Sequence, residues 1–487
     1  MSQSGISPED IRRIAEAIAG NIVARGPVAA AAPAPSAHVQ APSAGLGDGV
    51  FATLDEAARA ARGAFLALSA VGLEQRKLII ESMRRSMRAQ AEPLARLAVD
   101  ETGLGRFEDK VQKNLLVTNK TPGVEDLTPA ASTGDHGLVL TEPAPFGVIG
   151  AITPVTNPSS TIICNAIGMV AAANTVAFNP HPSAKRVSMA TVRALNQAIV
   201  AAGGPPNVLT TVAEPTIASA GELMNHPLVR LLVVTGGPGV VQAAMNSGKR
   251  AICAGPGNPP AVVDATADID QAGRNIVLGH SFDNNVICVD EKECIVVDSV
   301  ADALKASMKR NGAVELKPSD LARLEKVIFE KNAGPRGHAV VNRKFVGKNA
   351  SLILQELGIP AGPEVRCVLV EVPNDHPLIW TEQMMPVLPL TRVRHVDEAI
   401  DLAVAAEGAC FHTATMHSHD LSALSKMARA CNCSIFVKNG RAVDGLGVAG
   451  EGFTSFTIAS PTGEGLTTAR SFSRWRRCTL VDHFRIV

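Results

Sequence analysis

Residues 147–180 read "GVIGAITPVTNPSSTIICNAIGMVAAANTVAFNP", and this stretch decides the fold. The opening "GVIGAIT" is short, apolar and closed by a proline, as a strand buried on both faces would be. "SSTIICNAIGMVAAA" reads as a helix and "NTVAFNP" as a second buried strand. The same alternation continues downstream. "SAKRVSMATVRALNQAIVAAGG" is a helix, "NVLTTVA" a strand, "ASAGELMNH" a helix, "RLLVVTG" a strand, "GVVQAAMNSG" a helix and "RAICAG" a strand. Strands alternating with helices predict an α/β fold with a doubly wound parallel sheet. A second unit, 256–450, repeats the mixture with "PAVVDAT", "ECIVVDS", "CVLVEV" and "SIFVKN".

Upstream, "ATLDEAARAARGAFLALS" opens with Thr53 and Glu56 at capping-box spacing, and a further helix is expected over 73–100. The first 25 residues stand apart. Ile11, Ile14, Ile18 and Ile22 share one helical face, with Ser7 as N-cap and Pro8 at the first turn. A Pro/Ala-rich linker, 26–49, follows. A short amphipathic helix on a linker cannot bury its own apolar face, so it is expected to dock on a partner. At the other end, "GLTTARSFSRWRRCTLVD" alternates like an exposed strand that needs one.

Composition excludes several classes. Among 487 residues, Lys+Arg and Asp+Glu are both 46, so there is no basic excess to recruit nucleic acid. No apolar run is long enough to span a bilayer, and no secretory leader is evident. Nine cysteines in a long chain read as reduced cytoplasmic thiols. "ACNCSIF" brings Cys431 and Cys433 together, but no second Cys/His pair stands at metal spacing. The expected reading is a strand start with one thiol on each face, and no metal.

Ligands of parallel sheets bind at the carboxyl ends of strands. Three such loops stand out: "TPVTNPSS" (153–160), "NPHPSAK" (179–185) and "TGGPG" (235–239). Gly236 and Gly237 open a helix whose N-terminus suits a pyrophosphate. The G-x-G-x-x-G fingerprint is not met, because Gly239 is followed by Val, Val and Gln242. Two thiols compete for chemistry. Cys294 lies in the alternating "ECIVVD" and faces a core. Cys288, between "FDNN" and "DEK", reads as a solvent-accessible loop thiol. By polarity alone it is either a nucleophile or an ordinary buried cysteine.

The ordered set "ITPVTNP", "NTVAFNPHPSAK", "VVTGGPG", "AGPGNPPAVVD", "SFDNNVICVDEK", "TEQMMPVLPL" and "FHTATMHS" resembles the aldehyde dehydrogenase superfamily. It looks most like the CoA-acylating branch, the acetaldehyde and propionaldehyde dehydrogenases of bacterial microcompartments. The resemblance covers residues 50–487, and the N-terminal helix resembles an encapsulation peptide that binds shell protein. It implies two doubly wound domains plus an oligomerisation arm. NAD binding falls to 50–123 and 145–255, catalysis to 256–450, and assembly into a homodimer or homotetramer to 124–144 and 451–487. It implies NAD and coenzyme A as cofactors and a location in the cytoplasm, inside a microcompartment.

Carried over residue by residue, the resemblance makes Cys288 the nucleophile. Thr156 stands where hydrolysing members carry the oxyanion-hole Asn, with Asn157 beside it, so both are candidate donors. His412 matches a His of the acylating branch. The dinucleotide is expected against Ile152, Thr153 and Pro154, then Asn179, Pro180 and His181, and against Thr235, Gly236, Gly237 and Val240. Asn179 replaces a usual Lys. Cys253, Ala254 and Gly255 line the nicotinamide end with Glu382 and Met384, the latter at an aromatic position. Hydrolysing members hold a general-base Glu where this chain has Cys253. Without that carboxylate water attack on a thioester is slow, whereas a CoA thiol needs no such base. The implied reaction is oxidation of a short aldehyde, propionaldehyde preferred, to acyl-CoA. The alternatives are acetaldehyde as main substrate and a hydrolysing enzyme that makes free acid.

Overall fold

The structure, a computed structural model, describes residues 46–485. The amphipathic helix of 1–25 and all of the linker up to residue 45 lie outside the described residues.

Val148–Thr153 and Thr175–Pro180 are buried along their whole length and pair in parallel, Ile149 opposite Val176. The helix that joins them, Pro158–Ala171, is buried at every residue. Its sequence is apolar all round for that reason, since no face meets water. The first sheet has six strands in the order Val50–Phe51, Leu209–Val212, Thr175–Pro180, Val148–Thr153, Val229–Thr235, Ala251–Ala254, all parallel. Chain order reverses beside Val148–Thr153, which makes the crevice at Thr153 and Thr235 the place where a ligand should bind.

Helix Leu54–Leu68 begins where expected. The Thr53 hydroxyl accepts from Glu56 N–H and the Glu56 carboxylate from Thr53 N–H, at 3.3 and 3.2 Å. Leu73–Thr102 is a single long helix that ends at Gly103, whose φ of 64° suits glycine. Phe107–Lys120 is a further helix. Its Asp109, Lys110, Lys113 and Asn114 are all buried, although such a face reads as solvated.

The second sheet has seven parallel strands in the order Ala313–Glu315, Cys367–Glu371, Val387–Val393, Glu293–Val297, Pro260–Val263, Thr413–His417, Ile435–Lys438. Cys294 is fully buried in its core with Val296, Leu388 and Leu390. The chain passes from one sheet to the other through residues 255–259, between Ala251–Ala254 and Pro260–Val263.

A third sheet joins Ala130–Gly134, Gly137–Pro145 and Ser473–Val481, all antiparallel. Gly137 (φ 113°) allows the close approach of the last strand, because a Cβ there would lie 1.9 Å from Leu480 O. Ser473–Val481 is exposed beyond its first residue, with Trp475 49%, Leu480 42% and Val481 61% accessible. The Cys431/Cys433 expectation is corrected here. Cys431 ends helix Leu421–Cys431, Asn432 is left-handed (φ 48°), and the strand starts only at Ile435. The polar Asn432 closes the helix instead of opening a strand. Among the described residues no group of His, Cys, Asp or Glu is arranged to hold a metal ion, and no helix is long and apolar enough to cross a membrane.

Candidate active site

Four loops meet at the amino edge of the second sheet. Cys288 precedes Glu293–Val297, Gly257 precedes Pro260–Val263, Glu382 precedes Val387–Val393, and His412 precedes Thr413–His417. These four strands are neighbours in the sheet, so residues far apart in sequence line one edge.

Gly257 is the hub. A Cβ there would lie 2.9 Å from His412 Cγ and 3.0 Å from Cys288 O, so the imidazole and the Cys288 backbone flank it. Gly257 N–H donates to Glu382 Oε1 at 3.4 Å. The neighbouring Asn258 ties its amide to Ile379 O and Ala406 O at 3.0 and 2.9 Å. The His412 N–H donates to Glu407 Oε1 at 2.8 Å, and its Nδ1 meets Thr413 Oγ1 at 2.9 Å. The ring is fully buried and its Nε2 has no partner among the described residues. Burial, then the charge of Lys292, lowers the His412 pKa to about 3, so the ring is neutral.

Cys288 is partly exposed. The sequence expectation that polar flanks mean a solvated loop is corrected: Asp283, Asn284, Asn285, Asp290, Glu291, Lys292 and Glu293 are all buried. Three consecutive residues, Asp283, Asn284 and Asn285, are left-handed, with φ of 45°, 55° and 67°. Side chains hold this arch. Asp283 N–H donates to Asp109 Oδ2 at 2.9 Å, and Asp283 Oδ1 accepts from Arg106 N–H at 2.7 Å. Arg106 Nε donates to Asn284 Oδ1 at 2.7 Å. Asp283 Oδ2 takes Lys110 at 3.0 Å and also Lys113. Packed surroundings, then the Glu382 charge, push the Cys288 thiol up to about 12, against the pull of Lys292. Burial also raises the Glu382 carboxyl.

Thr156 and Asn157 belong to this cluster through Lys113. Its ammonium donates to Asn157 Oδ1 at 2.6 Å, while Asn157 Nδ2 donates to Thr156 Oγ1 at 3.0 Å. The Thr156 carbonyl accepts from Lys110 at 3.2 Å. The Asn157 amide is thereby oriented with its oxygen turned to the lysine.

The expected dinucleotide residues gather along the carboxyl edge of the first sheet. Ile152 and Thr153 end one strand, Asn179 and Pro180 the next, Thr235 a third and Cys253 and Ala254 a fourth. Gly237 caps helix Pro238–Met245. A Cβ on Gly237 or Gly239 would meet nothing within 4 Å, so the helix N-terminus is open to a pyrophosphate. Gly236 packs differently, with a Cβ there 2.7 Å from Val240 Cγ1. Thr235 Oγ1 meets Thr457 Oγ1 at 3.0 Å. Asn179 accepts from Ser219 Oγ at 2.5 Å and is only 3% accessible, so its amide is already engaged, while His181 at the rim is exposed. Pro154 and Gly255 continue the same edge into the loops. Met384 is held left-handed (φ 53°). The expectation that Cys253 lines the nicotinamide end, in the place of a general base, is corrected: its side chain faces inward. It is fully buried in a core with Leu54, Val234 and Val241, and burial and Glu464 push its thiol to about 11.

Sequence reasoning missed Lys113, Asp283 and Lys292. Lys292 donates to Asn285 Oδ1, Asn285 O and Ile287 O at 2.7, 3.0 and 3.1 Å. The only local signal was two lysines on a helix and one after a cysteine, which does not separate a buried cation from a solvated one.

The aldehyde dehydrogenase family model matches residues 41–453. The acetylating acetaldehyde dehydrogenase EutE of Salmonella typhimurium is 52% identical over 90% of this chain and 94% of that protein. Among solved structures, a Rhodopseudomonas palustris propionaldehyde dehydrogenase with bound CoA and an acylated cysteine has a TM-score of 0.86 and 48% identity, over 90% of this chain and 99% of that one. A propionaldehyde dehydrogenase from the Clostridium phytofermentans fucose utilisation microcompartment has a TM-score of 0.87 and 44% identity, over 91% of this chain and 100% of that one. With its two parallel sheets and the cysteine between them, this chain belongs to the aldehyde dehydrogenase family.

Proposed function

We propose that the chain oxidises a short-chain aldehyde, propionaldehyde by preference, to its acyl-CoA, with NAD and coenzyme A. The observation that carries this reading is the pairing across Gly257. The Cys288 backbone and a buried, neutral imidazole flank that one residue, which brings the turn that carries the thiol and His412 to the same sheet edge. The acylated cysteine and bound CoA of the Rhodopseudomonas protein support it.

Cys288 releases its proton to water, and its Sγ adds to the aldehyde carbon as the C=O electron pair moves onto oxygen. The developing oxyanion is met by N–H donors, with the Cys288 N–H and the Thr156–Asn157 loop as candidates. A dinucleotide held along the carboxyl edge of the first sheet would supply the hydride acceptor, and Cys288 would then carry the acyl group as a thioester. His412 Nε2, buried and unpartnered, accepts a hydrogen bond from the incoming CoA thiol. That thiol attacks the acyl carbon, the bond to Cys288 breaks, and the free thiol returns. Glu382, tied to Gly257 N–H, borders the nicotinamide end. Gly236, Gly237 and the N-terminus of the helix behind them would hold the dinucleotide's pyrophosphate.

Domain roles follow. The first sheet holds the dinucleotide, the second the nucleophile, and 124–144 with 451–487 assemble a homodimer or homotetramer through the exposed strand Ser473–Val481. The segment 1–25 docks on shell protein and places the enzyme in a microcompartment. Deleting residues 1–20 should spare activity and abolish co-purification with shell proteins; unchanged co-purification overturns that role. The central test is NADH formation from an aldehyde series with and without CoA. Steady turnover only with CoA supports acyl transfer. Equal turnover without CoA makes the enzyme a hydrolysing one.

A further inference from the structure

Lys292 is fully buried, yet all the acceptors it meets are neutral: Asn285 O, Asn285 Oδ1 and Ile287 O. Its ammonium forms no ion pair within 4.0 Å among the described residues. A buried cation without a paired carboxylate is costly, and such a charge is retained where something else supplies the balancing anion. The three bonds also place it. Asn285 ends the left-handed arch and Ile287 immediately precedes Cys288, so the ammonium closes the turn that presents the thiol. The turn is fastened further from behind: Lys292 N–H donates to Pro259 O at 2.9 Å, and Gln383 Nε2 donates to Lys292 O at 3.3 Å.

The groups facing this pair come from several elements. Asp290 lies in the same turn, Glu293 starts the following strand, and Glu382 precedes the neighbouring strand. His412 stands across Gly257, and His280 ends helix Ile269–His280. Burial holds both histidines neutral and raises all three carboxyl groups toward their neutral forms. Lys292 is the cation that acts on Cys288.

We propose that Lys292 is the positioning residue of the nucleophile: it fixes the Asn285–Cys288 turn through two backbone carbonyls and supplies the positive charge that balances the Cys288 thiolate when it forms. The proposal rests on Cys288 being the nucleophile. Its test needs no aldehyde, NAD or CoA, so its failure leaves the acyl-transfer reading standing.

The experiment is alkylation of Cys288 in the full chain, followed by mass spectrometry of the peptide that carries it, across pH 7–9. With iodoacetamide, Lys292→Gln should slow the reaction by about tenfold or more, since one unit of thiol pKa is worth a factor of ten. Lys292→Arg, which keeps the charge, should recover most of the loss. A merely structural role has the opposite sign: a loosened turn exposes Cys288 to water and speeds alkylation. An unchanged or faster rate in Lys292→Gln, or no recovery in Lys292→Arg, overturns the proposal. A second measurement uses the unmodified protein and stays available if Lys292→Gln does not fold. A local positive charge favours anionic iodoacetate over neutral iodoacetamide. Their rate ratio at Cys288 should exceed that of N-acetylcysteine amide under the same conditions, and should fall as salt is added. A ratio at or below the free thiol's overturns it.

Discussion

Gly257→Ala probes the geometry on which the acyl-transfer reading stands. Its Cβ would lie 2.9 Å from His412 Cγ, 3.1 Å from His412 Cβ and 3.0 Å from Cys288 O, where ordinary contact begins at 3.4 Å. The ring or the turn must therefore retreat by about half an ångström. Neither is the loose end of a flexible side chain: His412 is fully buried, and the Cys288 oxygen is backbone. Overpacking of this kind costs about 1–3 kcal/mol. For a sheet domain of this size that is about 2–4 °C in melting temperature per kcal/mol. The kinetic effect should be larger. A misplacement of about 1 Å can cost about a hundredfold in rate, so half of that predicts about a tenfold loss. The assay is stopped-flow NADH formation with propionaldehyde. Without CoA, the first-turnover burst should keep its amplitude, because Cys288 Sγ remains available. With CoA, steady turnover should fall about tenfold. Unchanged turnover together with an unchanged melting temperature would refute the packing of His412 and the Cys288 turn against Gly257.

Three further outcomes follow from the same geometry. Cys288→Ala should abolish NADH formation, while Cys294→Ala, deep in the second core, should keep most of it; equal loss in both would move the nucleophile. Asp283→Asn removes the carboxylate shared by Lys110 and Lys113, which are almost wholly buried. Loss of one partner of a buried pair costs about 3–5 kcal/mol, readable as a lower urea midpoint. Glu291→Gln tests a buried carboxyl that burial raises to about 7, while its Oε1 accepts from Ala442 N–H at 2.8 Å. Because the folded state holds this proton and the unfolded state releases it, wild-type stability falls as pH rises through 4.5–7. Glutamine has no proton to lose, so the variant should gain about 3 kcal/mol on wild type between pH 4 and pH 8 in urea titrations. A pH-independent difference would show that Glu291 is ionised in the folded state.

The alternating segments from 147 to 254 were legible because each strand is apolar on both faces and each helix is bounded by Gly or Pro. The Thr53–Glu56 cap was legible because its partners are three residues apart. The Phe107–Lys120 helix was not, since "EDKVQKN" has the composition of a solvated face and becomes a buried clamp only when the left-handed arch of 283–285 is laid against it. Cys288 was singled out for polar neighbours that turned out to be packed inside. Packed inside, they build the left-handed turn that leads into Cys288.

What the sequence by itself determined is local: the period of the apolar residues, the caps and the Gly-rich turns at strand ends. These depend on neighbours a few residues apart, whose interactions exist before the chain collapses. Tertiary structure alone decided which charges are buried and what faces them. Lys110 and Lys113 reach Asp283 across about 170 residues of chain, and His412 and the Cys288 backbone meet Gly257 from two sides only because their strands flank the one that Gly257 leads into. Burial sets the cost of each charge, and burial belongs to the packed whole.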